Sequence, residues 1–332
     1  MNEDCLKLTT YFGERDRAGD RFLADALLDL YGRAGVQVSV LLRGTEGFGA
    51  HHRLHTQRVL TLSEDLPVVA VAVDARERIE HLADEVRAVS SRGLVTLERA
   101  RMLTGRTGGI ELDGPAKLTV YVGRKERLDG EPAYRGVVAL LRRHGVDGAT
   151  VLLGVDGTAR GVRRRARFFG GNVDVPLMII AVGGGEAVAA AAGELSMRLA
   201  RPLMTLERVR VCKRDGALLA EPHDLASGGD WQKLTVYAGE TLYTELVRGL
   251  RAAGASGATA LRGIWGYHGD HAPHGERFWS LRRHVPVMTV VVDAPERIRR
   301  AFAIIDQLTT QTGLVTSEVV PARPVASATG DR

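Results

Sequence analysis

Arginine and glycine occur together in three long polar segments of this 332-residue chain. Glycine lets a backbone approach a ligand closely, and the arginine fork binds a phosphate or carboxylate at two points. The residues concerned are Arg43, Gly44, Glu46 and Gly47, then Gly154 and Gly157, then Arg262, Gly263, Gly266 and Tyr267. The pattern predicts a site for a small anionic ligand, although the middle segment lacks the leading arginine. The alternative is that each segment is a hairpin that simply requires glycine.

Four further arginines stand just before predicted helices: Arg15, Arg17, Arg124 and Arg127. The free N–H groups at the start of a helix favour an anion nearby, so these arginines are candidate ligand-binding residues. The last third of the chain lacks this segment, because 21 residues separate Lys233 from Gly254, against 28 from Lys7 to Gly35. A site that needs the segment forms at most twice. The alternative is a solvated charged loop.

Five arginines crowd into eight residues of the middle polar segment, and an aromatic residue follows them directly: Arg160, Arg163, Arg164, Arg165, Arg167 and Phe168. Their charge predicts a surface for an acidic partner, with Phe168 as an apolar anchor. The alternative is a solvated face, with Phe168 turned inward at the start of the next strand.

Histidines in the outer two polar segments suggest a competing metal site. The last segment contains His268, His271 and His274, and the first contains His51, His52 and His55. Imidazoles brought together on a loop can hold zinc, copper or nickel. The middle segment has Arg165 at the position of His55 and His274, so no threefold histidine ring is expected. The alternative is that these histidines are solvated.

Catalysis is the least favoured function. The chain has no G-x-S-x-G, Walker A or H-E-x-x-H sequence and no recurring Ser, His and Asp set. Three glutamates do recur at equivalent positions, namely Glu98, Glu207 and Glu318. One glutamate at a strand end in each part of the chain is typical of a fold or interface feature. The sequence therefore predicts a protein that is not an enzyme.

Composition limits the protein class. Hydrophobic residues make up 45% of the chain and charged residues 26%, which is typical of globular domains and excludes general disorder. No apolar run approaches the roughly 20 residues of a membrane span, the start shows no signal sequence, and cysteine occurs only twice. These features predict a cytoplasmic protein. Aromatic residues are only 5%, so the net charge of +5 does not indicate nucleic-acid binding.

Three internal copies of one unit organise the chain. The segment Lys7–Gly13 (KLTTYFG) recurs at Lys117–Gly123 (KLTVYVG) and at Lys233–Gly239 (KLTVYAG). Each copy closes on a similar segment, LVTLE at 94–98, LMTLE at 203–207 and LVTSE at 314–318. Hydrophobic periods alternate between strand and helix within a copy and predict the order β-α-β-β-α-β, a ferredoxin-like α+β unit.

Glycine-rich and polar stretches separate the copies. We predict copy 1 at 1–103, a linker at 104–115, copy 2 at 116–212, a linker at 213–231, copy 3 at 232–321 and a disordered tail at 322–332. The first linker is long enough to cross to a neighbouring unit, at about 3.3 Å per residue. The three copies are therefore expected to close into a pseudo-trimer within one monomeric chain.

These motifs resemble an uncharacterised bacterial family, DUF190, also called UPF0166, of the PII-like (GlnB-type) superfamily. The resemblance rests on Lys-Leu-Thr-x-Tyr-x-Gly in each copy, the runs at 148–154 and 62–67, and the closing segment at 93–98. It covers nearly the whole chain outside the linkers and tail.

The resemblance implies a signalling protein that binds ligands in clefts between units. The long polar segment after the second strand corresponds to the mobile T-loop of PII-like proteins. A small anionic metabolite, with an adenine nucleotide as candidate, is the implied ligand. Family genes often lie near fluoride-channel genes, which implies a membrane channel or transporter as partner. The glycine-rich phosphate loop of PII proteins is missing, since 90–93 and 200–202 are short connections, and this argues against ATP binding in the PII manner.

Overall fold

Strands form in each copy where side chains alternate between two faces. In copy 1, Leu8 is fully buried in the helix-side core, whereas Lys7 and Thr9 point to the other face of the sheet. The structure is a computed structural model that describes residues 2–49, 55–56, 65–159, 162–165, 175–225, 230–269, 273–275 and 285–325.

The strands and helices of each copy follow one order along the chain. Copy 1 contains β1 (Asn2–Gly13), β2 (Arg17–Ala18), β3 (Arg21–Phe22), α1 (Leu23–Ala34), β4 (Val38–Arg43), β5 (Glu46–Phe48), β6 (His55–Thr56), β7 (Pro67–Ala75), α2 (Arg76–Val89) and β8 (Leu94–Thr104). Copy 2 and its extension contain β9 (Ala116–Gly123), β10 (Arg127–Leu128), β11 (Glu131–Pro132), α3 (Ala133–Arg143), β12 (Gly148–Leu153), β13 (Asp156–Ala159), β14 (Val162–Arg165), β15 (Pro176–Gly183), α4 (Gly185–Arg198), β16 (Leu203–Arg208), β17 (Arg210–Arg214) and β18 (Ala217–Leu218). Copy 3 contains β19 (Trp231–Gly239), α5 (Tyr243–Ala252), β20 (Ala258–Arg262), β21 (Trp265–His268), β22 (His274–Gly275), β23 (Pro286–Asp293), α6 (Pro295–Leu308), β24 (Leu314–Val320) and β25 (Ala322–Pro324).

Each copy is a four-stranded antiparallel sheet with two helices on one face. The strand orders are β4-β7-β1-β8, β12-β15-β9-β16 and β20-β23-β19-β24. The predicted α+β class and the order β-α-β-β-α-β are therefore present in all three copies. Gly35, Gly145 and Gly254 follow the first helix of each copy with positive φ angles, which glycine adopts without strain. No helix among the described residues is long and apolar enough to cross a membrane.

The faces away from the helices meet in one shared core. Val40 of copy 1, Ile180 of copy 2 and Val290 of copy 3 belong to a single buried cluster. Three other clusters lie between each sheet and its own helices. Every sheet is thus covered on both faces, by helices outside and by the other two sheets inside.

Two sets of strand pairings close the copies into a ring. The first involves β5, β13 and β21, which we call the loop strands because they begin the three long polar segments. β5 pairs with β20 of copy 3, β13 with β4 of copy 1, and β21 with β12 of copy 2. Each loop strand therefore extends a neighbour's sheet and covers an edge that would otherwise be open.

The second set runs in the opposite sense around the ring. The end of β8 pairs with β16 of copy 2, β17 pairs with β24 of copy 3, and β25 pairs with β8 of copy 1. Lys213 on β17 is buried beneath α6, where its Nζ lies 2.5 Å from Asp306 Oδ1 and donates to the Asp306 carbonyl at 2.9 Å. The segment after each copy is thus fastened to the next copy.

These pairings correct two of the predicted boundaries. β17 continues to Arg214 and β18 follows at Ala217–Leu218, so the start of the predicted 213–231 linker is a strand of the copy 3 sheet. Ala322–Pro324 is also a strand, although we predicted a disordered tail from residue 322. Both segments look polar and featureless in sequence, but the edge of a neighbouring sheet satisfies their backbone groups. Residues 326–332 lie outside the described part of the chain.

Candidate functional site

A lysine and a glutamate stand opposite each other in every copy. The pairs are Lys7 with Glu98, Lys117 with Glu207 and Lys233 with Glu318, each across two neighbouring strands. Residues directly opposite in an antiparallel pair point to the same face of the sheet. Here that face is the inner one, so all six charged side chains converge where the three copies meet.

These six residues, the central ring, alternate in charge around the meeting point. Lys7 Nζ lies 2.7 Å from Glu98 of its own copy and 2.5 Å from Glu207 of copy 2. Lys117 contacts Glu207 at 3.0 Å and also forms an ion pair with Glu318 of copy 3. Lys233 contacts Glu318 at 2.7 Å and pairs with Glu98 of copy 1, which closes the ring. Every lysine therefore binds one glutamate of its own copy and one of the neighbouring copy.

Burial and mutual attraction act in opposite directions on the central ring. All six residues are at most 7% exposed. Burial alone would lower the pKa of Lys7, but Glu207, Glu98 and Glu318 outweigh it and hold that pKa well above its ordinary value. Burial would raise the pKa of Glu98, but Lys233, Lys7 and Lys117 hold it well below the ordinary value. The neighbouring charges likewise raise the pKa of Lys233 and lower that of Glu318, so Lys7, Lys233, Glu98 and Glu318 are charged at neutral pH.

The glutamates of the central ring have a spacing that could suit a metal ion. One carboxylate oxygen from each of Glu98, Glu207 and Glu318 lies within 4.8 Å of the other two. Three ammonium groups already bind these oxygens, however, and their positive charge repels a cation. The arrangement therefore stabilises the junction of the copies and does not favour metal binding. Sequence reasoning placed the glutamates at an interface but missed the lysines, whose signal was their recurrence at one position of the first strand.

The predicted glycines lie where the loop strands cross to a neighbour. Gly47 pairs with Thr259, Gly157 with Val40 and Gly266 with Thr150. A Cβ atom on these glycines would lie 2.5, 2.2 and 2.2 Å from a carbonyl oxygen of the neighbouring strand. A Cβ atom on Gly44, Gly154 or Gly263 would lie 2.7–3.0 Å from the carbonyl oxygen of Pro67, Pro176 or Pro286. Close backbone packing thus accounts for all six glycines.

The two leading arginines form equivalent ion pairs. Arg43 Nη2 lies 2.8 Å from Glu14, and Arg262 Nη2 lies 2.5 Å from Glu240. Both glutamates directly follow the glycine that ends the first strand. Copy 2 has Leu153 and Arg124 at these two positions, so it cannot form the pair. These two positions in each copy, which we call the loop base, therefore differ in charge between copies.

The remaining predicted ligand residues have structural partners of their own. Arg17 Nη1 donates to the Asp20 carbonyl and Arg127 Nη1 to the Gly130 carbonyl, each within a small hairpin. Arg15 and Arg124 are exposed at the same two hairpins. Glu46 is buried between copies and accepts a hydrogen bond from Thr244 Oγ1 of copy 3 at 3.2 Å. Tyr267 is buried in the core of copy 2 and donates to the Val146 carbonyl at 2.8 Å.

The basic segment and the histidines are described only in part. Arg163, Arg164 and Arg165 lie on β14, which pairs with loop strand β13. Arg160, Arg167 and Phe168 lie outside the described residues, as does His271. His268 and His274 lie on neighbouring strands with their ring centroids 6.1 Å apart.

Comparison with known families places all three copies in one group. The DUF190 model, described as "Uncharacterized ACR, COG1993", matches residues 5–102, 115–211 and 232–322. The chain belongs to the DUF190 family. A UPF0166 protein of Aquifex aeolicus (strain VF5) is 32% identical over 68 residues, which is 20% of this chain and 71% of that relative. The family resemblance read from the sequence motifs is thus confirmed, and the relative has about the length of one copy.

Structural comparison of this DUF190 chain adds no functional argument. Aspartate kinase from Synechocystis is 12% identical, with a TM-score of 0.24. The match covers 96% of this chain, which spans 44% of the kinase chain. A likeness this weak says nothing about the activity of the DUF190 chain.

Replacement of Gly157 by alanine should destabilise this DUF190 protein by about 1–3 kcal/mol, because the new methyl group overlaps the Ser39 carbonyl of copy 1. Urea denaturation measures the effect. Gly193→Ala is the matched control, since Gly193 lies inside α4 with open space around it and alanine favours helix. Equal stability of the wild type and Gly157→Ala would show that the glycine is not required by packing.

Proposed function

We propose that this chain is a non-enzymatic regulatory protein of the PII-like kind, in which three ferredoxin-like units act as a covalent pseudo-trimer. It binds a small anionic metabolite, with an adenine nucleotide as candidate, beside the loop bases between copies. The observation that supports this role is the exchange of loop strands around the ring. A ligand that changes one loop base also changes the contact between two copies, which is how a loop can transmit a signal.

The arginine–glutamate pairs mark the proposed ligand positions. An anion at Arg43 or Arg262 would replace Glu14 or Glu240 on the guanidinium and could accept two parallel hydrogen bonds. Both pairs are partly exposed, with Arg262 at 27% and Arg43 at 44% of the side chain accessible. At Arg43 the exchange of the glutamate for a ligand therefore requires no opening of the core, whereas Nε and Nη2 of Arg262 are buried and would first have to become accessible.

Copy 2 is expected to differ from the other two. It lacks the leading arginine and carries Leu153 in its place, so the same exchange cannot occur there. Copy 3 lacks the hairpin that carries Arg15 and Arg17 in copy 1. The charged groups at and beside the loop base thus differ in every copy, so three sites of equal affinity are not expected.

Calorimetry with the full chain and a panel of AMP, ADP, ATP and cyclic nucleotides tests this proposal. We expect at most two binding events, and a loss of about tenfold to a hundredfold in affinity for Arg43→Gln or Arg262→Gln, because each removes a charge-assisted hydrogen bond. Arg76→Gln is the matched control, since Arg76 forms an exposed ion pair with Asp4 at the other end of the sheet. Three equal and independent sites would contradict the assignment.

A second candidate function is metal binding by the loop histidines, supported by the adjacency of His268 and His274. Elemental analysis of the same purified protein decides between the two. Bound metal that is lost in His274→Ala, without nucleotide binding, would favour the metal function. If the protein binds neither a nucleotide nor a metal, the result would favour a ligand-free interaction scaffold. A cytoplasmic location, which rests on the composition, and a membrane channel or transporter as partner, which rests on the family resemblance, are part of the proposal.

A further inference from the structure

Two of the three loop strands insert an aromatic side chain into a neighbour. Phe48 on β5 belongs to the helix-side core of copy 3, and Tyr267 on β21 belongs to that of copy 2. Both are at most 5% exposed, and the Tyr267 hydroxyl also binds the Val146 carbonyl at 2.8 Å. These two loop strands are therefore held by a buried ring in addition to their backbone hydrogen bonds.

The loop strand of copy 2 has no such ring. The position equivalent to Phe48 and Tyr267, directly after the closely packed glycine of each loop strand, is Thr158, which stands opposite Ser39 on β4. Removal of a buried aromatic ring increases the equilibrium constant for detachment of such a strand by about tenfold to a hundredfold. β13 is thus attached to its neighbour through a backbone ladder of four residue pairs, without a buried aromatic ring.

Copy 1 supplies its own aromatic residues where the other copies receive one. Tyr31 and Phe12 are both buried in its helix-side core. At the equivalent positions the other copies have smaller side chains, namely Leu141 and Val122 in copy 2 and Leu250 and Ala238 in copy 3. Protein cores keep a nearly constant packing density, so a core that contains two large rings leaves less room for a third. The small loop strand of copy 2 and the larger core of copy 1 are matched to each other.

We propose that the hairpin of β13 and β14 is the detachable loop of the three, and that its partner is an acidic protein segment. β14 carries Arg163, Arg164 and Arg165, and its outer edge forms no strand pairing among the described residues. An extended acidic segment could pair with this edge and contact the arginines. This inference rests on the proposed signalling role of the loops but not on the identity of a ligand.

Hydrogen exchange of the full-length protein without ligand tests the detachment. We expect the amides of β13 to exchange about tenfold to a hundredfold faster than those of β21, with β1 as an internal standard for global unfolding. Tyr267→Thr should bring β21 to the exchange rate of β13. Equal protection of β13 and β21 in the wild type would overturn the proposal, as would a β21 that is unaffected by Tyr267→Thr.

Placing an aromatic residue on β13 should have the opposite effect on hydrogen exchange. Thr158→Tyr combined with Tyr31→Leu should slow exchange in β13, whereas Tyr31→Leu alone should leave it fast.

A poly-glutamate peptide is the probe for the partner surface, and it should change the exchange of β13 and β14 but not of β5 or β21. Binding that is unaffected when Arg163, Arg164 and Arg165 are replaced by glutamine would contradict the acidic partner. An absence of nucleotide binding would refute the proposed ligand and leave these exchange differences intact.

Discussion

Lys117→Met should lower the free energy of unfolding by about 3–5 kcal/mol at neutral pH, because it leaves a buried negative charge without its partner. Lys117 contacts Glu207 at 3.0 Å and Glu318 at 2.8 Å, and no water can replace it among groups that are at most 7% exposed. Urea denaturation followed by circular dichroism measures the loss. Lys117 connects copy 2 to copy 3, so the same variant should weaken the contact between these copies first.

Two further variants make this expectation specific. Lys117→Met with Glu318→Gln restores the charge balance of the central ring and should recover most of the lost stability, and it also provides a folded protein if the single variant fails to fold. Arg143→Met is the surface control, because Arg143 forms an exposed ion pair with Glu194 and such pairs contribute little. A loss no larger for Lys117→Met than for Arg143→Met would show that the ring does not stabilise the fold.

Replacement of all three ring lysines by methionine should make stability increase as the pH falls from about 8 to 5, a range in which the wild-type groups contribute no pH dependence. In the wild type, the pKa values of Glu98 and Glu318 lie below the ordinary 4.5, so the stabilisation from these groups is complete above pH 4.5 and is lost as the pH falls further. The pKa values of Lys7 and Lys233 lie above the ordinary 10.5, so their stabilisation is complete below pH 10.5 and is lost as the pH rises further. The contribution of these four groups is therefore constant from about pH 5 to pH 10.

The triple variant retains three buried carboxylates and no counter-charge. Burial and mutual repulsion then raise the pKa of each carboxyl group, so protonation favours folding and stability increases as the pH falls. Thermal unfolding from about pH 8 to pH 5 measures this trend. With the ammonium groups gone, three carboxylate oxygens within 4.8 Å of one another should also bind Ca²⁺ or Mn²⁺, which would stabilise the variant but not the wild type. Loss of stability on acidification in both proteins would contradict this account of the ring.

The central ring and the loop strands have complementary roles in this arrangement. The ring joins the copies through ion pairs among six buried charged side chains, and it favours one fixed geometry. The loop strands join the same copies through backbone ladders of three or four residue pairs at the outer edges of the sheets. Under the proposed function, a loop would respond to a ligand or partner at this outer edge, away from the junction at the centre.

Local sequence patterns predicted the units but not their contacts. These patterns depend on neighbours along one chain segment: the alternation of Val36, Val38 and Val40, the helical spacing of residues such as Leu27 and Leu30, and their recurrence in three copies. They predicted the order β-α-β-β-α-β, which the structure contains. The repeats also revealed that the copies differ at Arg43, Leu153 and Arg262. The predicted linker from 213 and tail from 322 were wrong at 213–214, Ala217–Leu218 and Ala322–Pro324, because a strand at the edge of another copy's sheet needs no hydrophobic alternation of its own.

Recurring motifs were enough to establish the family, the three copies and the positions of the repeated lysines and glutamates. The packing of the three sheets was needed to bring Lys7 to Glu207, 200 positions away, and to bury Phe48 in copy 3. Side-chain type and spacing specify which face of a strand a residue occupies, but charge pairing across the junction depends on how the sheets pack around each other. Gly157 resembles a flexible turn residue in the sequence, yet it is required because a Cβ atom there would lie 2.2 Å from the Ser39 carbonyl oxygen of another copy.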